Sequence, residues 1–168
     1  MKLQGKVAII TGGSKGIGLG CGRVFAKYGA CVVLAARGEK AGKDAEKEIA
    51  DRGGSAWFVP TDVTREADMQ ALVTATVDRF GRLDCIVNNA GWHPPAMSID
   101  QTTLDDFEQL LRLNFTSTFL GCKLAVPHLR TTRGSIINMS SEVALIGQTQ
   151  APAYVSTKAG QLLSLIHI

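Results

Sequence analysis

The sequence lacks three features that would each indicate a class of protein: a long apolar run, a run of like charge and a paired cysteine motif. No stretch approaches the ~20 apolar residues that span a bilayer, and the start, MKLQGKVAII, enters a predicted strand without the features of a secretory signal. The formal net charge is +3, with basic and acidic residues interspersed, so charge favours neither nucleic acid nor a membrane surface. We therefore expect a cytoplasmic protein without such partners.

The cysteine pattern indicates neither a disulfide framework nor a metal centre. The four cysteines show no CxxC motif and no Cys/His spacing of the kind that binds zinc. Each lies in an apolar or helical context, so we expect free, buried thiols and no bound metal. The residues are Cys21, Cys31, Cys85 and Cys122.

Hydrophobic residues make up 45% of the 168 residues, which is enough for a buried core. Apolar β-rich runs alternate with amphipathic segments, and this order predicts a doubly wound parallel sheet in three αβα layers. No repeat or low-complexity linker divides the chain, so a single domain is expected over 1–168. The predicted strands are 6–11, 30–36, 56–60, 83–88 and 134–140, and the predicted helices are 19–28, 39–52, 66–80, 104–129 and one beginning at Pro152.

A glycine-rich turn, GGSKGIG, joins the first strand to the first helix. Glycines let the backbone approach a phosphate, and the following helix N-terminus supplies N–H donors and a favourable dipole. The spacing Gly-x-x-x-Gly-x-Gly departs from the common dinucleotide fingerprint, and tight packing of helix on strand also selects glycine. The predicted phosphate-binding residues are Gly12, Ser14, Lys15, Gly16, Ile17 and Gly18.

The end of the second strand predicts which nicotinamide cofactor is preferred. An acidic residue at this point binds the ribose hydroxyls of NAD, whereas an arginine accommodates the 2′-phosphate of NADP. Here Ala36 is followed by Arg37, and Lys15 adds a second cation. The sequence thus favours NADP(H) over NAD(H), the alternative being that both cations are ordinary surface residues.

Polar residues also follow the third and fourth strands. Asp62 caps the next helix, contacts the adenine or does both, and Val63 beside it is a predicted cofactor contact. After the fourth strand, Asn89, Ala90 and Gly91 are expected to support the neighbouring strand and to leave backbone close to the cofactor.

The stretch Ser140 to Lys158 carries the candidate chemistry. Tyr154 and Lys158 are four residues apart in a predicted helix, so they share one face. An ammonium and a helix N-terminus both favour a phenolate, which suits Tyr154 to proton exchange. A hydroxyl that helps to hold the same substrate oxygen would come from Ser140 or Ser141, of which we favour Ser141. The alternative is a solvated helix face with a half-buried ring.

Three further residues complete the candidate site. Asn114 interrupts an apolar helix face and, if buried, needs hydrogen-bond partners. His93 follows Trp92 in a loop that leaves the carboxyl edge of the sheet, where ligands bind, although most loop histidines have no catalytic task. With Gln148, His93 is a predicted substrate contact.

The ordered set TGGSKGIG at 11–18, NNAG at 88–91, Asn114, Ser141 and YVSTK at 154–158 resembles the classical short-chain dehydrogenases/reductases. The resemblance implies a Rossmann-like fold and interconversion of a secondary alcohol and a ketone. It implies that Tyr154 exchanges the proton, that Lys158 assists it and holds the nicotinamide ribose, and that Ser141 binds the substrate oxygen. Asn114 would hold a water in a proton relay from Lys158.

Within that family, GRLDCIVNNAGWHPP and LIGQTQAPAYVSTK look like the type 14 17β-hydroxysteroid dehydrogenases. This implies a hydrophobic, steroid-like substrate. The resemblance also implies use of NAD, with an acidic residue at the end of the second strand. This chain departs from that pattern, because it has Ala36 and Arg37 there. A 3-oxoacyl-type ketoreductase is therefore a rival, and a nucleotide-binding fragment without catalysis is another.

The end of the sequence departs from the family pattern. The residues 161–168, QLLSLIHI, lack the alanine-rich continuation expected there, and family members continue with two more strands and a lid over the substrate. We expect a chain truncated early in the Tyr/Lys helix, with an uncovered apolar edge beside the fifth strand, and poorly soluble or inactive alone. Its full-length parent would be a homo-oligomer, assembled through the helix 104–129 and the one after Pro152.

Overall fold

Five parallel strands form the centre of the computed structural model, which describes residues 1–165. Their spatial order is β3-β2-β1-β4-β5, and each is paired in parallel with its neighbours, as the predicted doubly wound sheet requires. The chain moves outward from β1 in both directions, so the carboxyl ends of β1 and β4 meet at a crevice that suits ligand binding. The strands are β1 Val7–Thr11, β2 Cys31–Ala36, β3 Ser55–Pro60, β4 Cys85–Asn88 and β5 Ser135–Asn138.

Helices cover both faces of the sheet and give the three predicted layers. One core cluster joins one face of the sheet to α3 and α5, and includes Ile9, Leu72 and Leu129. A second cluster joins the other face to α1 and α2, and includes Ile10 and Ile49. The helices are α1 Gly16–Lys27, α2 Glu39–Asp51, α3 Glu66–Phe80, α4 Leu104–Leu111, α5 Ser117–Thr132, α6 Val143–Ile146 and α7 Pro152–Leu163.

The long helix predicted over 104–129 is not one regular α-helix. It begins with a capping box at Thr103 and continues through a five-residue π segment, Arg112–Thr116, before α5 carries it to Thr132. A π segment inserts one extra residue per turn and is frequent at functional sites. The short helix α6, which was not predicted, lies between Ser141 and the start of α7.

Two other predictions need correction or restriction. Of the four free cysteines only Cys122 is buried, while the other three are half-buried, because they lie near the ends of strands or on the rim of α1. Of the atypical C-terminal residues, 166–168 lie outside the described part of the chain.

The strand β5 lies at one edge of the sheet and pairs with β4 alone. Its Ile137 is 40% exposed, which agrees with the expected uncovered apolar edge. In the part of the chain that the structure describes, no helix has the length and apolar character needed to cross a membrane.

Candidate active site

The glycine turn after β1 depends on glycine at three positions. Gly12 and Gly16 have φ of 65° and 55°, a region that favours glycine. Gly18 has no room for a side chain, because an added Cβ would overlap the carbonyl oxygen of Gly12 and lie 2.6 Å from Nδ2 of Asn89. The helix α1 that follows has no side-chain N-cap bond and no acidic residue in its first turn, so its N–H groups suit an anion.

We expect Gly18→Ala to destabilise the chain by about 1–3 kcal/mol, the usual effect of overpacking a tight site, and to weaken cofactor binding severely. The matched control is Gly20→Ala in the same helix, where an added Cβ meets no atom within 4 Å. That change should be neutral or stabilise by up to about 1 kcal/mol. Urea unfolding and NADPH titration measure both effects, and equal behaviour of the two variants would contradict the packing argument.

Asn89 fastens the end of β4 to the end of β1, as predicted for the NNAG stretch. Its Nδ2 donates to the backbone oxygen of Thr11 at 2.8 Å. In return, the Thr11 hydroxyl oxygen accepts the backbone N–H groups of Asn89 and Ala90, both at 3.0 Å. Gly91 lies close to two of the predicted catalytic residues, since a Cβ placed on it would lie 3.0 Å from Oδ1 of Asn114 and 3.6 Å from Nζ of Lys158.

Of the groups predicted to recognise the adenosine half of the cofactor, Arg37, Asp62 and Val63 lie beyond the ends of β2 and β3, and Lys15 lies in the glycine turn after β1. Arg37 and Lys15 are exposed, whereas Val63 is buried. Asp62 does not cap α3; instead its Oδ1 accepts from the backbone N–H and the hydroxyl of Thr64, at 3.0 and 2.7 Å.

The carboxyl group of Asp62 is held in its ionised form. Burial raises the pKa of Asp62, but the two bonds from Thr64 and the charges of Arg37 and Arg65 outweigh this effect and leave it below its ordinary value. Arg37 and Asp62 follow the paired ends of β2 and β3, where Ala36 lies opposite Pro60, so both residues lie at one corner of the site.

Tyr154 and Lys158 lie one turn apart near the start of α7, which begins with Pro152. The Lys158 Nζ is 5.9 Å from the centre of the Tyr154 ring and donates to the backbone oxygen of Met139 at 2.7 Å. Lys158 is only 5% exposed, and burial lowers the pKa of its ammonium to about 8. The structure therefore places a readily deprotonated amine beside the phenol.

The lowered pKa of Lys158 predicts a pH dependence of stability. Above pH ~8 the folded chain loses this proton, while the unfolded chain holds it to about pH 10.4, so stability rises with pH across that window. Urea unfolding measures the free energy of unfolding of wild type and of Lys158→Met at each pH. The difference, wild type minus variant, should rise by roughly 3 kcal/mol from pH 7 to pH 11. Groups present in both proteins cancel in this difference, and a difference that stays flat with pH would contradict the lowered pKa of Lys158.

The two candidate serines have different surroundings. The Ser140 hydroxyl donates to the backbone oxygen of Lys158 at 2.7 Å and so ties the end of β5 to α7. Ser141 is half-buried and precedes α6. Because the Ser140 hydroxyl already donates its proton to a backbone oxygen, it is not free to donate to a substrate. This supports the choice of Ser141 as the residue that binds the substrate oxygen.

Asn114 lies in the π segment, is fully buried and has the partners that such a residue needs. Its side chain binds both backbone groups of Trp92: Oδ1 accepts from the N–H at 2.8 Å and Nδ2 donates to the carbonyl at 3.0 Å. Nδ2 also donates to Oγ1 of Thr157 at 3.3 Å, in α7. Asn114 thus joins the loop after β4 to the helix that carries Tyr154.

The loop residue His93 covers the ring of Tyr154. The two ring centres are 4.3 Å apart, and Nε2 of His93 is 3.2 Å from Oε1 of Gln148. The loops are also joined where the Met97 N–H donates to the Gln150 carbonyl at 2.7 Å. The structure therefore places His93 against the ring of Tyr154 and Gln148 against His93.

Several residues of the site were not singled out from the sequence. Thr11 and Met139 act through a strand-end hydroxyl and a backbone carbonyl, and single-sequence patterns carry no signal for such contacts. Gln161 contacts the backbone oxygen of Asn114 from α7, and its place on the buried face of that helix, three residues after Lys158, was a detectable signal.

Comparison with known proteins places these features in context. The chain matches the family described as short chain dehydrogenase over residues 6–164. It is 49% identical over 157 residues to L-fucose dehydrogenase from Mus musculus, and the aligned region covers 94% of this chain and 56% of that protein. It is 37% identical over 158 residues to 3-beta-hydroxysteroid dehydrogenase from Comamonas testosteroni, covering 94% and 61%.

Solved structures agree with the fold. NAD+-bound xylitol dehydrogenase superposes with a TM-score of 0.91 at 29% identity, covering 95% of this chain and 62% of that one. Together with the strand order, this confirms the predicted parallel αβα architecture. The chain spans a little over half the length of the L-fucose dehydrogenases it matches, between 54% and 57%.

Proposed function

Because the chain belongs to the short-chain dehydrogenase family, we propose that it is an oxidoreductase that interconverts a secondary alcohol and a ketone with a nicotinamide cofactor. The observation that carries the proposal is the nearly buried ammonium of Lys158 beside the Tyr154 ring. This pair lies where the loops after β4 and β5 meet, at the carboxyl edge of the sheet. Such an edge is where ligands bind in doubly wound folds.

The chain's own residues would manage the proton and hold the substrate. Tyr154 would give a proton to the substrate oxygen or take it away, and the neighbouring ammonium favours the phenolate that results. The Ser141 hydroxyl would donate to the same oxygen and stabilise the charge that develops on it. Asn114 would support a proton relay from Lys158, with Oδ1 as the atom directed toward Gly91.

The nicotinamide cofactor, when bound, supplies or accepts the hydride. The chain fits such a group because α1 begins without a side-chain cap or an acidic residue, and the turn before it has no room for side chains at Gly12, Gly13 and Gly18. Lys158 would hold the nicotinamide ribose. The other proposed contacts are Gly12, Ser14, Lys15, Gly16, Ile17, Gly18, Arg37, Asp62, Val63, Asn89, Ala90 and Gly91.

The preferred cofactor in this proposal is NADP(H). Arg37 follows β2 directly and is exposed, as is Lys15 at the start of α1, so both are available to a 2′-phosphate. The rival, NAD(H), is supported by the NAD+ bound in the similar xylitol dehydrogenase structure. Competition between the two cofactors for the chain would distinguish them.

For the substrate, we propose a polyhydroxylated alcohol of the size of a sugar. Support comes from the similarity to L-fucose dehydrogenases and from the polar pair His93 and Gln148, which lies beside Tyr154. A second hydroxyl of the substrate would bind this pair by replacing the contact between the two side chains.

His93→Phe keeps a ring against Tyr154 and should raise the KM for L-fucose more than tenfold while leaving the KM for a simple secondary alcohol unaffected.

A steroid-like substrate, expected from the type 14 resemblance, is the second candidate. It is favoured by the exposed apolar side chains of Trp92 in the loop after β4 and of Leu145 and Ile146 in α6. The similar proteins named above include a hydroxysteroid dehydrogenase at lower identity. Turnover of 3- and 17-hydroxysteroids, compared with L-fucose in the same assay, decides between the two substrate classes.

The test of the proposed function is turnover measured by nicotinamide fluorescence, with NADP+ or NAD+ and a panel of secondary alcohols. It should be run on the 168-residue chain and on a chimera that adds the C-terminal part of the mouse L-fucose dehydrogenase. Cofactor binding by the chain, with turnover by the chimera, is the expected result. Binding without turnover in both would favour the nucleotide-binding alternative.

A further inference from the structure

Gln161 is a buried glutamine in α7 to which the proposed reaction gives no task. It is 1% exposed, and its Nε2 donates to the backbone oxygen of Asn114 at 2.7 Å and to Oγ1 of Thr118 at 2.6 Å. Because a backbone oxygen can only accept, the amide nitrogen must be the end that faces Asn114. The orientation of the amide is therefore set by its contacts.

The other end of this amide has no partner. Within residues 1–165, no donor reaches Oε1 of Gln161, and an unpaired buried acceptor is unfavourable for folding. This oxygen offsets part of what the two Nε2 bonds contribute. The net effect of Gln161 on stability is therefore small. Its two bonds instead fix the position of α7 against the π segment.

The position of Asn114 matters beyond the helix because its side chain holds a loop. Both backbone groups of Trp92 bind the Asn114 amide, at 2.8 and 3.0 Å. The next residue, His93, packs its ring at 4.3 Å from that of Tyr154. A series of contacts therefore leaves α7 at Gln161, passes through Asn114 and Trp92, and returns to α7 at Tyr154.

We propose that Gln161 is a positioning residue. It holds Asn114 in place, and through Asn114 it holds the Trp92–His93 loop against Tyr154. The role in catalysis rests on the proposed function, whereas the mechanical coupling does not. Thr118 also donates to the Asn114 carbonyl, at 3.0 Å, but it belongs to the same continuous helical segment. Gln161 is the residue that joins this carbonyl to α7.

The first test replaces Gln161 by methionine, which keeps the length of the side chain and removes its donor and its unpaired acceptor. Hydrogen exchange of the Trp92 amide, measured by NMR, should become about tenfold faster, as a loss of roughly one hydrogen bond's free energy would produce, while the urea midpoint changes little. The control is Thr76→Val, which removes a buried hydrogen-bonding group elsewhere, the Thr76 hydroxyl that donates to the Leu72 carbonyl in α3. It should leave the Trp92 exchange rate unchanged.

The second test, Gln161→Glu, keeps the shape and makes the donor depend on pH. A protonated carboxyl donates to the Asn114 carbonyl, whereas an ionised one cannot, and burial raises the pKa of such a group. Trp92 exchange, relative to the Thr76→Val control at each pH, should match wild type near pH ~5 and match Gln161→Met near pH ~8. A residue that only fills space would show no such return.

The outcomes separate this inference from the proposed function. Unchanged Trp92 exchange in Gln161→Met, or a Gln161→Glu variant that follows Gln161→Met at every pH, overturns the positioning role. Faster Trp92 exchange in Gln161→Met, together with a wild-type chain that binds neither NADPH nor NADH, leaves the coupling in place and removes the function. Where turnover is measured, Gln161→Met should lower kcat about tenfold with KM little changed.

Discussion

Tyr154→Phe should lower turnover by at least about a thousandfold, within the range that a general acid or base contributes, while the Kd for NADPH changes by less than about twofold. The substitution removes one hydroxyl and keeps the ring, which packs at 4.3 Å from His93 and is half-buried. The proton exchange is lost, and the cofactor contacts in the glycine turn are untouched. Steady-state turnover of the chimera and fluorescence titration measure the two quantities.

The control for this prediction is Tyr28→Phe, since Tyr28 is the other tyrosine of the chain and ends α1 far along the sequence from α7. It should retain turnover close to wild type. Equal activity of Tyr154→Phe and wild type would remove Tyr154 from the mechanism. A parallel loss of NADPH binding would show that the hydroxyl serves binding instead of proton exchange.

Arg37→Asp should reverse the cofactor preference, with a change in the NADPH to NADH affinity ratio of about a hundredfold or more. The variant removes a cation from the proposed 2′-phosphate contact and supplies a carboxylate that can accept from ribose hydroxyls. The same change brings a second carboxylate to the corner held by Asp62, whose pKa the Arg37 charge helps to lower. The pKa of Asp62 should therefore rise in the variant.

The matched control is Arg65→Asp, because Arg65 also acts on Asp62 but lies at the start of α3. It should change the affinities for NADPH and NADH to a similar extent. If Arg37→Asp leaves the affinity ratio unchanged, Arg37 does not contact the phosphate. A change of equal size in Arg65→Asp would show that general charge, and no specific contact, determines the preference.

Much of the fold follows from local patterns that the sequence displays directly. The buried parallel strands are near-continuous apolar runs, as in VAIIT and CVVLAA. The helix α3 has the bounds 66–80 that were predicted, because Gly81 adopts the left-handed conformation that ends it. The Tyr154 and Lys158 spacing fixes their common face of α7 through helical geometry alone.

The features that escaped prediction depend on contacts between distant parts of the chain. The π segment around Asn114 coincides with side-chain bonds to Trp92 and Thr157, which lie far away in sequence. The Lys158 ammonium binds a backbone carbonyl, that of Met139, which any residue at 139 would offer. The sequence leaves Asp62 a capping role and an adenine contact, and the capping role is excluded because α3 begins after Arg65 with no side-chain cap bond.

The central claim is that this chain builds a nicotinamide-cofactor site at the carboxyl edge of its sheet. The most direct test is fluorescence titration of the chain with NADPH and NADH, with Gly18→Ala and Gly20→Ala as matched variants. We predict saturable binding, tighter for NADPH, that is retained in Gly20→Ala and lost in Gly18→Ala. A wild-type chain that is folded by circular dichroism and binds neither cofactor would contradict the account.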